Sequence, residues 1–178
     1  MAPTVSLIFV RHMETTREGD NPPLSEKGRQ QLQDLLTALR QFPISYVYSS
    51  DLWRAVEPAE AIAKMFRVPH QVSTALREIR SSSEFPRPRR SQSSPAADGN
   101  ESAKDTAAFE DRVAKAIDAI AARHNGSHVV LVTHSGTIRA AMRYLLALPL
   151  PVFGLSSVAP GSMIILTRDS SGAWRSRT

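Results

Sequence analysis

The chain contains no cysteine. That absence excludes disulfides, thiolate catalysis and cysteine-ligated metal sites. Nor does it hold an apolar run of the roughly 20 residues that cross a bilayer. Val5–Val10 is too short for the apolar core of a signal peptide, and Met-Ala-Pro-Thr before it carries no basic side chain. A soluble, cytoplasmic protein with no membrane partner is therefore expected. Basic residues do not alternate with aromatics in a stripe, so nucleic acid is not an expected partner. His70, His124 and His128 have no metal-like partner at i+3 or i+4 and are expected at the surface. No internal repeat is present.

What remains is an ordinary globular composition. A chain of 178 residues suits a single domain with a sizeable core. The formal charge of +5 fits an anionic small molecule, a phosphoprotein or simply a basic surface. No helix face carries a clear apolar excess, which leaves the oligomeric state open.

Apolar patterning alternates between strand and helix. Val5–Val10 reads as a buried strand of a parallel sheet. After a Pro-containing loop, Ser25 is an N-cap with Glu26 in the first turn, and Leu32, Leu35, Leu36 and Leu39 repeat at helical spacing to about Arg40. A short strand from Ser45 to Tyr48 leads through Ser49-Ser-Asp51, a cap, into a helix striped by Leu52, Ala55, Ala59, Ile62, Ala63 and Phe66. Pro58 is expected to bend that helix. Val68 to Leu76 reads as an extended connection. Residues 80–105, rich in Ser, Pro and Arg, read as a long surface loop inserted within one domain. The cluster of Arg77, just before this segment, with Arg80, Arg87, Arg89 and Arg90 is solvated or screens a multiply anionic substrate. Helix returns at about Thr106. A second buried strand runs from His128 to Thr133, followed by a helix, a late strand at Ser162–Thr167 and an edge strand near Trp174. The fold class expected is a three-layer α/β/α sandwich with a mostly parallel sheet.

Chemistry gathers at the strand ends. The first strand ends in Arg11-His12 and the second buried strand in His134. Ligands of open α/β sheets bind beyond the carboxyl ends of the strands, so neighbouring parallel strands would aim both histidines into one crevice. The junction from Tyr48 to Arg54 would bring Arg54 there too. A phosphate monoester carries about two negative charges and needs guanidinium and N–H donors around its oxygens. Backbone N–H groups at the helix start, Ser135 included, would add to Arg11 and Arg54. A neutral imidazole can attack phosphorus, and a carboxylic acid can protonate the leaving oxygen.

These residues lie in segments that resemble a known family. Val10-Arg-His-Met-Glu-Thr15 resembles the Arg-His-Gly-Glu-Thr signature of the histidine phosphatase superfamily, which includes the cofactor-dependent phosphoglycerate mutases. Pro23-Leu-Ser-Glu-Lys-Gly28 is similar to its Pro-Leu-Thr/Ser-x-x-Gly segment, and Ser49-Ser-Asp-Leu-Trp-Arg-Ala55 to its Ser-Ser-Asp-Leu-x-Arg-Ala segment. Leu76-Arg-Glu-Ile79 looks like the segment carrying the proton donor, and Val130-Leu-Val-Thr-His-Ser-Gly136 like that carrying the second histidine. Gly161–Leu166 is also familiar in this setting. The segments occur in the family's order along nearly the whole chain.

The resemblance implies a phosphoglycerate mutase-like fold and a phosphatase with His12 as the phosphorylated nucleophile. It further implies that Arg11, Arg54 and His134 hold the phosphoryl group, with Glu78 as proton donor and no metal or organic cofactor. The substrate would be a small phosphorylated metabolite or a phosphoprotein. Glu84 and Glu101 are the other acid candidates. The family's glycine is replaced by Met13, expected to line the pocket as an apolar wall or to displace His12; Glu14 and Thr15 line the pocket or order the loop. A reduced cap region favours hydrolysis over mutase chemistry. The alternatives are a phosphoglycerate mutase, a phosphohistidine protein phosphatase, or a non-catalytic phosphate-binding module, the last motivated by Met13.

Overall fold

The computed structural model describes residues 4–16, 21–78, 99–148 and 158–177, without the side chains of 99–105 and 177. Its elements are β1 (Ser6–Arg11), α1 (Glu26–Leu39), β2 (Ile44–Ser49), α2 (Trp53–Phe66), β3 (His70–Val72), a 3₁₀ turn (Thr74–Leu76), α3 (Gly99–Arg123), β4 (His128–Thr133), α4 (Ser135–Leu146), β5 (Met163–Arg168) and β6 (Trp174–Arg177).

One six-stranded sheet has the order β3-β2-β4-β1-β5-β6. The β3-β2-β4-β1 part is parallel, whereas β5 runs antiparallel to β1 and β6 to β5. β1 and β4 are neighbours in register, with Val10 opposite Val132 and Arg11 opposite Thr133. This pairing decides the position of the site, because His12 and His134 are the next residue on each strand.

Successive side chains of β1 and β4 point to opposite faces, and both faces are covered. On one, Leu7, Phe9, Val129 and Leu131 pack with Phe109, Val113 and Ile117 of α3 and Ile138 and Met142 of α4. On the other, Ile8, Val10, Val130 and Val132 pack with Leu32, Leu35 and Leu39 of α1 and Ala55, Ala59 and Ile62 of α2. Each large apolar side chain so buried is worth about 1.5–3 kcal/mol. The result is the expected three-layer arrangement.

The structure differs from the sequence expectations in detail. α3 begins at Gly99, so the expected loop at 80–105 overlaps the helix at its far end, and residues 79–98 lie outside the described residues. The connection after α2 contains the short strand β3 and a 3₁₀ turn. α2 runs through buried Pro58 as one helix. Its start is capped differently from the expected Ser49-Ser-Asp51 cap. Leu52 is the N-cap without a side-chain bond of its own; Ser50 Oγ accepts the Leu52 N–H at 3.4 Å, and Asn21 Oδ1, from the loop before α1, accepts the Trp53 N–H at 2.9 Å. Periodicity marks a helix body, but a cap supplied from elsewhere in the chain leaves no local signal. The histidines expected at the surface are half-buried: His70 Nε2 lies 2.8 Å from Ser49 Oγ and His124 Nε2 lies 2.9 Å from Tyr48 Oη. No described helix is long and apolar enough to cross a membrane.

Candidate active site

The Arg11-His12 backbone is clamped from both sides. His12 N–H donates to Thr133 O at 2.9 Å, extending the β1–β4 ladder by one residue. Arg11 N–H donates to Ser162 O at 3.1 Å, and Gly161 N–H donates back to Arg11 O at 3.1 Å. Gly161 has φ +77°, a left-handed conformation that glycine adopts without a side-chain penalty. Nη1 of Arg11 donates to the Val158 carbonyl of the same segment.

His12 Nδ1 lies 2.8 Å from its neighbour's carbonyl, Met13 O. A carbonyl only accepts, so Nδ1 carries the proton and Nε2 of the neutral ring carries a lone pair. The His134 ring centroid is 5.1 Å away, with the two rings tilted by 60°. Burial, only partly opposed by the Met13 hydrogen bond, lowers the His12 pKa to about 4, and Arg54 and Arg11 push in the same direction. His134 is also held well below the usual imidazole value, first by burial and then by His12, Arg54 and Arg11. Both imidazoles are thus neutral near pH 7. The guanidinium groups of Arg11 and Arg54 act on both histidines, and Arg54 forms no ion pair among the described residues. Two neutral imidazoles beside two guanidinium cations suit a multiply charged oxyanion.

Met13, expected at the pocket, is 0% exposed and packs in the core with Ile8, Val10 and Leu24. It therefore has no exposed surface with which to wall a substrate site. Nor does it adopt a positive φ, so the position does not demand glycine in this chain. Glu14 and Thr15 order the loop. Glu14 O accepts the Ser25 N–H at 3.0 Å, its N–H donates to Gln31 Oε1 at 2.8 Å, and its carboxylate meets Ser25 Oγ at 3.1 Å and Lys27 Nζ at 3.1 Å. Thr15 bridges to Leu24. The start of α1 is consequently a brace for the chain that follows His12.

Glu78 reaches the N-terminus of α4, where its Oε2 accepts the Gly136 N–H at 2.8 Å. One of the donors expected for the phosphate is thereby engaged by this carboxylate. Ser135, the first residue of α4, is half-buried beside it. The segment that carries Glu78 is held from several directions. Thr133 Oγ1 donates to Leu76 O at 2.6 Å and Thr137 Oγ1 to Arg77 O at 3.0 Å. Arg112 donates to the carbonyls of Thr74, Ala75 and Arg77 at 3.0, 2.8 and 3.2 Å. Arg77 forks onto Asp51, with Nε 2.5 Å from Oδ1, and this bond leads the effects that lower the Asp51 pKa. The other acid candidates, Glu84 and the Glu101 side chain, lie outside the described residues.

Sequence reasoning passed over Ser50, Asp51, Gly136 and Arg112 as site components. The first three stand inside the recognised segments, a signal that could have found them. Arg112 looks like any helix arginine until the topology lays α3 against the 3₁₀ turn. A separate cleft of about 320 Å³ between α3 and α4, lined by residues including Glu110, Arg143 and Tyr144, contains none of these groups. No cluster of three or more potential metal ligands occurs among the described residues.

Comparisons with known proteins place the chain in a family and a fold. Phosphoglycerate mutase-like protein 4 of Arabidopsis thaliana is 32% identical over 159 residues, spanning 75% of this chain and 68% of the relative. A mycobacterial glucosyl-3-phosphoglycerate phosphatase solved with VO3 superposes with a TM-score of 0.76, at 22% identity over 97% of each chain. Phosphoserine phosphatase of Entamoeba histolytica, solved with 3-phosphoglyceric acid, gives a TM-score of 0.77 at 16% identity over 98% of this chain and 95% of that one. Residues 7–177 match the model of the histidine phosphatase superfamily (branch 1), and the chain belongs to that superfamily.

Proposed function

We propose that the protein is a phosphatase that hydrolyses phosphate monoesters through a phosphohistidine on His12. The observation that carries this reading is the bond from His12 Nδ1 to Met13 O, which leaves an unprotonated Nε2 on a ring that lies beside His134 and under the charges of Arg54 and Arg11. Arg11 and Arg54 clamp the non-bridging oxygens, and His134 adds a further polar contact. Nε2 of His12 attacks phosphorus; the N–P bond forms as the ester P–O bond breaks. The carboxylic acid of Glu78 gives its proton to the leaving oxygen. The resulting carboxylate then takes a proton from water as that water attacks phosphorus, the P–N bond breaks, and inorganic phosphate leaves with the imidazole restored.

Hydrolysis is preferred over mutase chemistry on the ground of the short chain with its reduced cap region; similar folds carry the names of phosphatases acting on glucosyl-3-phosphoglycerate and on phosphoserine, and of a phosphoglycerate mutase. Small phosphorylated metabolites are the corresponding substrate class, in a cytoplasmic setting and with no metal taking part. Phosphate release from p-nitrophenyl phosphate and a panel of small phosphoesters tests the reading. Release should disappear in His12→Ala, and quenched wild-type protein should carry an acid-labile, base-stable phosphoryl group on His12. Phosphate binding without such an adduct would identify a non-catalytic phosphate-binding module instead.

A further inference from the structure

Ser50 is 0% exposed at the end of β2, where the chain turns into α2. Its Oγ lies 2.7 Å from Nε2 of His134, which is itself 1% exposed. The same oxygen accepts the Leu52 N–H at 3.4 Å. A hydroxyl has one proton to donate, and His134 Nε2 is the acceptor within reach among the described residues. His134 Nδ1 is buried and has no hydrogen-bond partner there.

Two arrangements fit the Ser50–His134 distance. If Nε2 carried the proton and donated to Ser50, the buried hydroxyl proton would lack an acceptor, and Nδ1 would be a second unsatisfied group. If Ser50 donates to Nε2, only one group remains unmet, an Nδ1–H. Buried polar groups without partners are costly, so the second arrangement is favoured. A phosphoryl oxygen offers only lone pairs and is served by a donor, never by a bare nitrogen.

We propose that Ser50 is a positioning residue that holds His134 in the Nδ1–H tautomer, fixing the second histidine as an N–H donor beside the His12 ring. Ser50 thus acts through His134 and does not touch substrate. What the N–H serves rests on the phosphatase reading above, but the tautomer itself does not. The arrangement is the second-site counterpart of His12, whose tautomer is set by the Met13 carbonyl. One histidine is fixed to attack and the other to donate.

The test is ¹⁵N NMR of imidazole-labelled full-length protein at pH 7, with the His134 signals assigned by their loss in His134→Asn. The expected result is a protonated Nδ1 and an unprotonated Nε2 on His134. Ser50→Thr, which keeps the hydroxyl, should retain that pattern. Ser50→Ala should shift His134 toward Nε2–H and weaken inhibition by inorganic phosphate about tenfold, a loss of the size of one hydrogen bond. An Nε2–H tautomer in the wild type overturns the proposal, even if Ser50→Ala does not fold. So does an Nδ1–H tautomer that persists unchanged in Ser50→Ala. Absence of phosphatase activity alongside the expected tautomer would sink the proposed function and leave this assignment standing.

Discussion

The carboxylate of Glu78 rests on the Gly136 N–H at 2.8 Å, so the proposed acid is seated on the first turn of α4, directly after His134. The seat exists because residue 136 has no side chain. A Cβ there would stand 2.2 Å from Glu78 Oε1 and 3.0 Å from its carboxyl carbon. Gly136→Ala should therefore fold, since alanine is the better helix former by about 1 kcal/mol and a flexible side chain can move aside. The displaced carboxylate should lower kcat toward alkyl phosphates by up to about 100-fold. p-Nitrophenyl phosphate, whose leaving group needs little help from an acid, should lose much less. Equal losses on both substrates would mean that Glu78 is not the proton donor.

Gly28 is required for a different reason. A Cβ at that position would meet Glu14 O at 2.0 Å, and backbone cannot swing away as a side-chain tip can. Gly28→Ala should move the chain that follows His12 off the start of α1. Thermal unfolding should show a loss of about 1–3 kcal/mol, accompanied by a fall in kcat. Unchanged stability would contradict the close approach of α1 to Glu14.

Met13 makes the opposite prediction. Its side chain is wholly buried, whereas the contact it makes to His12 comes from its backbone carbonyl. Met13→Gly should cost about 2–5 kcal/mol through the cavity left in the core. The Michaelis constant for a small phosphoester should not change, because no pocket surface is lost. A large shift in that constant at moderate destabilisation would return Met13 to the substrate site.

Arg112 binds three carbonyls of the segment that carries Glu78. Arg112→Lys keeps the charge but loses the planar fork. Its activity on alkyl phosphates should fall between those of the wild type and Arg112→Ala, and Arg112→Ala should unfold about 1.5–3 kcal/mol more easily. Wild-type kinetics in Arg112→Ala would show that the acid segment is held without it.

Two pH profiles should bear the mark of the buried histidines. His12 must be neutral to attack, and its folded pKa is lowered from 6.5 to about 4. The acid limb of kcat/KM should accordingly lie near pH 4, well below that of an exposed imidazole. Stability follows by linkage. Below pH 6.5 the unfolded chain takes up a proton that folded His12 refuses until about pH 4, so the folded state loses stability throughout that window as pH falls. Urea unfolding at pH 7 and pH 5 should show a smaller decline for His12→Asn than for the wild type. Parallel declines would indicate that His12 titrates normally.

Much of this architecture is legible along the chain. The uninterrupted apolar runs in β1 and β4 call for a sheet covered on both faces, and the helices betray themselves by spacing. Arg11, His12 and His134 stand where those runs stop, at the strand ends that open α/β sheets use for ligands. The family segments add Arg54 and Glu78 in the same order as the strands and helices that deliver them. Local pattern is enough here because strand ends and helix starts are properties of short stretches of sequence.

Other features depended on the tertiary structure. Met13 is a departure from the family glycine that sequence reading places in the pocket, and only packing turns its side chain into the core beside Ile8 and Leu24. The same holds for the capping of α2 by Asn21, the hold of Arg112 on three carbonyls, the seat of Glu78 on Gly136, and the bond of Ser50 to His134. Each joins residues far apart in the chain. A residue's type and its neighbours in sequence determine what it can bond to, whereas the register of β1 on β4 and the laying of α3 against the 3₁₀ turn decide what comes within reach.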